Sequence, residues 1–73
     1  MKLIFENSYS QERVIAEVKD ENEAIQEINK FIDDCNAKRT DGKDFKIYYI
    51  RSWEQDGRKK FDVGSHTEFF YLE

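Results

Sequence analysis

Between Asp20 and about Asn36, the apolar residues Ala24, Ile25, Ile28, Phe31, Ile32 and Cys35 recur at i, i+3, i+4 and i+7 spacing. That spacing draws a single stripe along an α-helix. Asp20 followed three residues later by Glu23 has the form of a capping box with Asp in the cap position. Glu21 and Glu23 stand where the helix dipole favours negative charge, and Lys38 and Arg39 stand near the end where it favours positive charge. A helix with one apolar stripe must bury it against something, and a chain of 73 residues has room for one such surface. The rest of the chain decides what that surface is.

Most of what remains reads as strand. KLIFE (2–6) is a short apolar run bounded by Asn7-Ser8, and RVIAEV (13–18) alternates so that Val14, Ala16 and Val18 share a face. The polar residues 7–12 between them suit a hairpin loop. After the helix, AKRTDGKD (37–44) is polar and contains Asp-Gly, which marks a loop. FKIYYIRSW (45–53) is rich in aromatic and β-branched residues and reads as a long strand. GSHT reads as a turn or bulge with Gly64 at its kink, and EFFYL (68–72) as the last strand.

Asp56-Gly57 is the strongest short-range hairpin signal, because a type I′ turn needs positive φ at both central residues. A two-residue loop there sets Glu54 opposite Lys59, Arg51 opposite Asp62, Ser52 opposite Phe61 and Ile50 opposite Val63. Two opposite-charge pairs and an aliphatic pair follow from one register, each worth roughly 0.2–1 kcal/mol. A slip of one residue loses both ion pairs.

The expected fold is a single small α+β domain over residues 1–73. It has an antiparallel sheet of four to five strands, in the order β-β-α-β-β-β, with the amphipathic helix packed on one face. The final strand can pair with its own hairpin or with the N-terminal strand. The expected core holds Leu3, Phe5 or Ile4, Val14, Ala16, Val18, Ile25, Ile28, Phe31, Ile32, Ile50, Phe61 and part of Phe69-Phe70-Tyr71. Burying one Ile or Phe contributes about 1.5–3 kcal/mol, so Ile28→Asp is expected to unfold so small a domain. Leu72-Glu73 matches a common cloning scar ahead of an affinity tag.

Composition narrows the function classes. No apolar run approaches the roughly 18–20 residues of a membrane-spanning helix or the apolar core of a secretory signal. The single cysteine cannot form an internal disulfide, so a cytoplasmic protein is expected. One Cys and one His supply no metal-site spacing, and the glycines match no phosphate-cradling motif, so no cofactor and no metal are expected. Cys35 lies on the helix core stripe, where a thiol is inert packing. His66 beside Glu68 has the makings of a general base, but no nucleophile in a pocket accompanies it. The expectation is a protein that is not an enzyme.

Charge is uneven: residues 1–42 carry a net −4, residues 43–60 a net +3 and residues 61–73 a net −3. Acidic side chains (Glu21, Glu23, Glu27, Asp33, Asp34) line the helix, and cations cluster on the long strand and its turn. The hairpin register sets Tyr48, Ile50, Phe61 and Val63 on the helix side. Tyr49, Arg51, Trp53, Lys60 and Asp62 fall on the opposite side, which one helix cannot cover. Strict alternation also puts Phe45 and Ile47 there, unless a bulge reverses the pattern near Tyr48-Tyr49.

Tyr49, Arg51, Trp53 and Lys60 are therefore the candidate binding residues. Trp, Tyr and Arg dominate protein-binding hot spots, and the same mixture suits stacking on single-stranded nucleic acid. A purely structural reading stands beside these, in which Trp53 packs on Arg51 or the Lys60 stem and closes the face by cation–π contact. The leading expectation is a binding protein that engages a protein partner or a second copy of itself through this face. The alternatives are a single-strand nucleic-acid binder using the same residues and a host-directed inhibitor docking through its acidic helix.

The run YYIRSWEQDGRKKFDVGSHTEFFYLE (48–73), with its Arg-x-Trp, Asp-Gly turn and DVGSHTEFF ending, resembles small uncharacterised proteins encoded by phages and prophages of low-GC Gram-positive bacteria. The helix and N-terminal hairpin before it are similar in layout. The resemblance implies a bacterial cytosolic setting and transfers no activity to particular residues.

Overall fold

The computed structural model of the chain describes residues 1–38 and 45–73. Most of the loop expected at 37–44, with Arg39 and Lys43, lies outside the described residues. Strands β1 (Lys2–Glu6) and β2 (Glu12–Glu17) precede the helix α1 (Glu21–Ala37), and β3 (Arg51–Gln55), β4 (Arg58–Asp62) and β5 (Phe69–Leu72) follow it. All neighbouring strands are antiparallel, in the order β2-β1-β5-β4-β3. The last strand lies between the two hairpins, pairing with both alternatives that the sequence offers.

Local chemistry accounts for the elements. The Asp20 side chain accepts the Glu23 N–H at 2.8 Å and caps α1. Asn7 Oδ1 accepts the N–H groups of Tyr9 and Gln11 at 2.9 and 3.0 Å, which rounds off the first hairpin. In the second hairpin Asp56 and Gly57 both have positive φ (54° and 80°), and the pairs Arg51–Asp62, Ser52–Phe61 and Glu54–Lys59 match the register expected from charge.

Ala24, Ile28 and Ile32 of α1 pack with Leu3, Phe5, Val18, Phe61, Val63, Phe70 and Leu72 in one core. Phe5, Phe31 and Phe70 form an aromatic cluster with ring centroids 4.7–5.8 Å apart. Arg13 lies 5.6 Å from the Phe31 centroid and borders it. Leu72 is an integral part of this core.

The structure corrects several expectations. Val14 is 55% exposed and outside the core, because the register shifts between Leu3 and Ile4. Leu3 faces Ala16 while Ile4 faces Val14, so Ile15 is an extra residue in β2 and the bulge turns Val14 to the other face. The long strand expected at 45–53 begins only at Arg51. Residues 45–50 run irregularly, which lets Phe45 and Ile47 reach the helix-side core and turns Tyr48 outward instead of inward. The side chain of Asn36 fixes this entry: its Nδ2 donates to the Phe45 carbonyl at 2.8 Å, and its Oδ1 accepts the Phe45 N–H. Cys35 is half-buried and lies outside the core cluster. Glu21, finally, does not join the exposed acidic face: it reaches over to the second hairpin and accepts from Lys59 at 2.8 Å and Ser52 at 3.3 Å.

Candidate interaction face

Pleating sorts the sheet residues by side. With Leu3, Phe5, Phe61, Phe70 and Leu72 under the helix, the ladder places Trp53, Lys60, Tyr71, Ile4 and Val14 in one row across the opposite side. Arg51, Asp62, Phe69 and Glu6 line the next row. All four candidate residues meet on this outer side or at its margin, but they divide into two groups.

The first group is at the β3 edge. The guanidinium of Arg51 lies 5.4 Å from the Tyr49 ring centroid and 5.5 Å from that of Trp53. Its Nε donates to Asp62 Oδ2 at 3.1 Å, and its Nη2 forms an ion pair with the same oxygen at 3.0 Å. Asp62 is buried, which by itself pushes its carboxyl pKa up. The Gly64 N–H at 2.9 Å and the Arg51 guanidinium outweigh that burial and hold it below its ordinary value. Tyr49 is 48% exposed and Trp53 37% exposed, and Trp53 Nε1 donates to Gln55 Oε1 at 3.1 Å. Tyr48 stands exposed beside them, its side chain lying over Gly64. Gly64 has φ +92°, and a Cβ built there would come within 3.0 Å of the Tyr48 Cβ, so this crossing requires glycine.

The second group closes the centre of the sheet. Lys60, a candidate residue, leaves Trp53 and lies 4.0 Å from the Phe69 centroid and 5.6 Å from that of Tyr71. Arg58 lies 3.7 Å from the Tyr71 centroid and runs on to Glu12 of β2, to which Nη1 and Nη2 donate at 2.9 and 2.8 Å. This fork straps β4 to β2 across two intervening strands. The hydrogen bond from Arg58 holds the Glu12 carboxyl below its ordinary value, and Glu12 in turn raises Arg58. The Tyr71 hydroxyl donates to Glu6 at 3.2 Å. Arg58, Phe69 and Tyr71 are not among the candidate binding residues that the sequence offers. Their meeting depends on β5 lying beside both β4 and β1, and no local pattern in the sequence encodes that.

Elsewhere, the Lys59 hydrogen bond lowers the Glu21 carboxyl and raises the lysine in return. A groove of about 350 Å³ beside this pair is lined by Met1, Glu54, Arg58 and Leu72 among others. His66 is exposed in the turn before β5, on a different element from Cys35. Among the described residues no three His, Cys, Asp or Glu side chains converge as a metal site, and no helix is long and apolar enough to cross a membrane.

No family model matches this chain, and neither does any curated protein or solved structure.

Proposed function

We propose that the chain is a non-enzymatic binding protein that acts through protein–protein contact or self-association on the outer side of its sheet. The surface concerned is its β3 end, around Tyr49, Arg51 and Trp53, with Lys60 at the border. One observation carries this reading: aromatic rings and a guanidinium stand together and exposed at a sheet edge, while the same chemistry at the sheet centre is covered. Residues of these types supply most of the binding energy in protein interfaces. Asp62 already neutralises Arg51, which favours a protein surface over a phosphate backbone as the partner. The resemblance of residues 48–73 to phage and prophage proteins makes the cytosol of a Gram-positive bacterium the place to seek a partner.

The test is capture from nuclease-treated Gram-positive lysate by wild type and by Arg51→Ala/Trp53→Ala, with far-UV circular dichroism to show that both are folded. A protein retained by wild type and lost by the variant is the expected result. Equal retention by both overturns the reading and turns attention to the acidic helix, where charge reversal at Glu23, Glu27 and Asp34 is the corresponding variant.

A further inference from the structure

The sheet has two free edges, and they differ. In β2 the extra residue Ile15 interrupts the ladder, and Glu12, Arg13 and Glu17 load the strand with charge. Bulges and charges are the usual means by which a strand edge is kept from pairing with another chain. β3 has no bulge, proline or lysine, and pairs with β4 in one unbroken register over its whole length.

Hydrogen-bond alternation fixes which groups β3 turns outward. Lys2 and Glu73 exchange both backbone hydrogen bonds. Carried strand by strand through the ladder, that exchange aims Arg51, Trp53 and Gln55 at β4, and the N–H and C=O groups of Ser52 and Glu54 away from it. Among the described residues no backbone bond satisfies this outward side.

We infer that β3 pairs with β3 of a second copy of this chain, antiparallel about a twofold axis through Trp53. The inference rests on the self-association branch of the function proposed above and deepens it. RSWEQ is complementary to its own reverse. In this register Ser52 meets Glu54 of the other copy in a hydrogen-bonded pair, twice over, and the four outward groups of each strand are satisfied. Arg51 meets Gln55, donor against acceptor. Trp53 meets Trp53 in a non-hydrogen-bonded pair, where cross-strand side chains come closest and aromatic pairs are stabilising. Lys59 already lies opposite Glu54 within each hairpin, so a cation flanks the Glu54 carboxylate where it meets the other copy. Such an interface is the same patch on both subunits, and the bulged, charged β2 edge stops growth at two copies. The paired surface is smaller than a standard interface, so the dimer forms at high concentration and comes apart on dilution.

Sedimentation equilibrium of the full chain from about 10 μM to about 1 mM reads the association directly, since that range brackets the affinity of a small interface. The mass is expected to rise from 8.8 kDa toward twice that value. Ser52→Pro removes an outward N–H without touching a bond to β4, so it should fold and weaken the dimer at least about tenfold. Trp53→Cys in a Cys35→Ser background should form an intermolecular disulfide on mild oxidation, because Cα atoms of a non-hydrogen-bonded pair lie within disulfide range. Ser52→Cys in the same background should not, since Ser52 faces Glu54 rather than itself.

A wild type that stays monomeric throughout overturns the pairing, as does equal cross-linking at 52 and 53. Dimerisation unchanged by Ser52→Pro but lost in Arg51→Ala/Trp53→Ala also overturns it, while leaving the outer-face reading standing on a face-to-face contact. Dimerisation unchanged in both variants removes self-association through this surface altogether.

Discussion

Arg51 and Arg58 make the same kinds of contact with opposite results. Each lies against aromatic rings and ends on a carboxylate of the same sheet, yet the Arg58 side chain is 22% exposed and that of Arg51 is 65% exposed. The cause is position. Arg58 starts from β4 and has β5, β1 and β2 to lie across, so Tyr71 beneath it and Glu12 beyond it absorb its whole length. Arg51 starts from the edge strand and stops at Asp62 of the neighbouring strand, and nothing among the described strands lies outward of it. Cation–aromatic contact becomes part of the fold when strands continue on both sides, and remains available surface when they do not.

The sharpest way to break this comparison is to remove the ring from each half. Tyr71→Ala should cost about 3–5 kcal/mol of stability, as loss of a buried aromatic does, and Trp53→Ala less than about 1 kcal/mol, both read by urea denaturation. Similar losses for the two would show that the edge is as structural as the centre. Next in size is the strap. Arg58→Ala should cost about 1–2 kcal/mol, the worth of charge-assisted hydrogen bonds reduced by the partial exposure of Glu12. Arg58→Lys should restore little of it, since an ammonium cannot form the fork; full recovery in a thermal melt would mean that charge alone holds the strap.

Acid titration sharpens the comparison from another side. Asp62 in the open half and Glu12 in the closed half are both held below their ordinary values of 3.8 and 4.5. A carboxylate lowered in the folded state stabilises the fold fully above its unfolded pKa, and loses that contribution as pH falls through the lower folded one. Stability should therefore be level above about pH 5 and decline below about pH 4. The decline should be shallower in Glu12→Gln and in Asp62→Asn, as followed by the denaturation midpoint against pH. A variant with the wild-type slope would show that its carboxylate is not held in solution. The smallest effect belongs to the turn that sets the register of both halves: Gly57→Ala, at φ +80°, should cost about 1 kcal/mol in the same denaturation assay.

The parts legible in the sequence are those specified by neighbours. Asp20 and Glu23 lie three residues apart, so cap and helix start are a local matter. Asp56-Gly57 dictates its own geometry, and the opposite charges of Arg51–Asp62 and Glu54–Lys59 then fix the hairpin register without reference to the rest of the chain. Alternation failed at Val14 because one inserted residue, Ile15, reverses every side chain beyond it, and RVIAEV reads smoothly with or without the bulge. It failed at Tyr48 because Asn36, nine residues before Phe45, holds the approach to β3 out of the ladder. The candidate face shows the same divide. Tyr49, Arg51 and Trp53 lie within five residues of one another and are legible together, whereas the attachment of Lys60 to Phe69 and Tyr71 depends on which strand lies beside β4.

That strand follows the other four and the helix in sequence. Until β5 arrives, the two hairpins have no common neighbour, and the apolar stripe of the helix has no continuous floor to lie on. Joining them means bringing Leu72 beside Leu3 across all the elements between them, a closure whose entropy is lost before most of the core contacts form. Folding should therefore be a single late event rather than a stepwise build-up from the N-terminus. During synthesis the domain should remain protease-sensitive until Phe69–Leu72 has cleared the ribosome, and then become resistant at once.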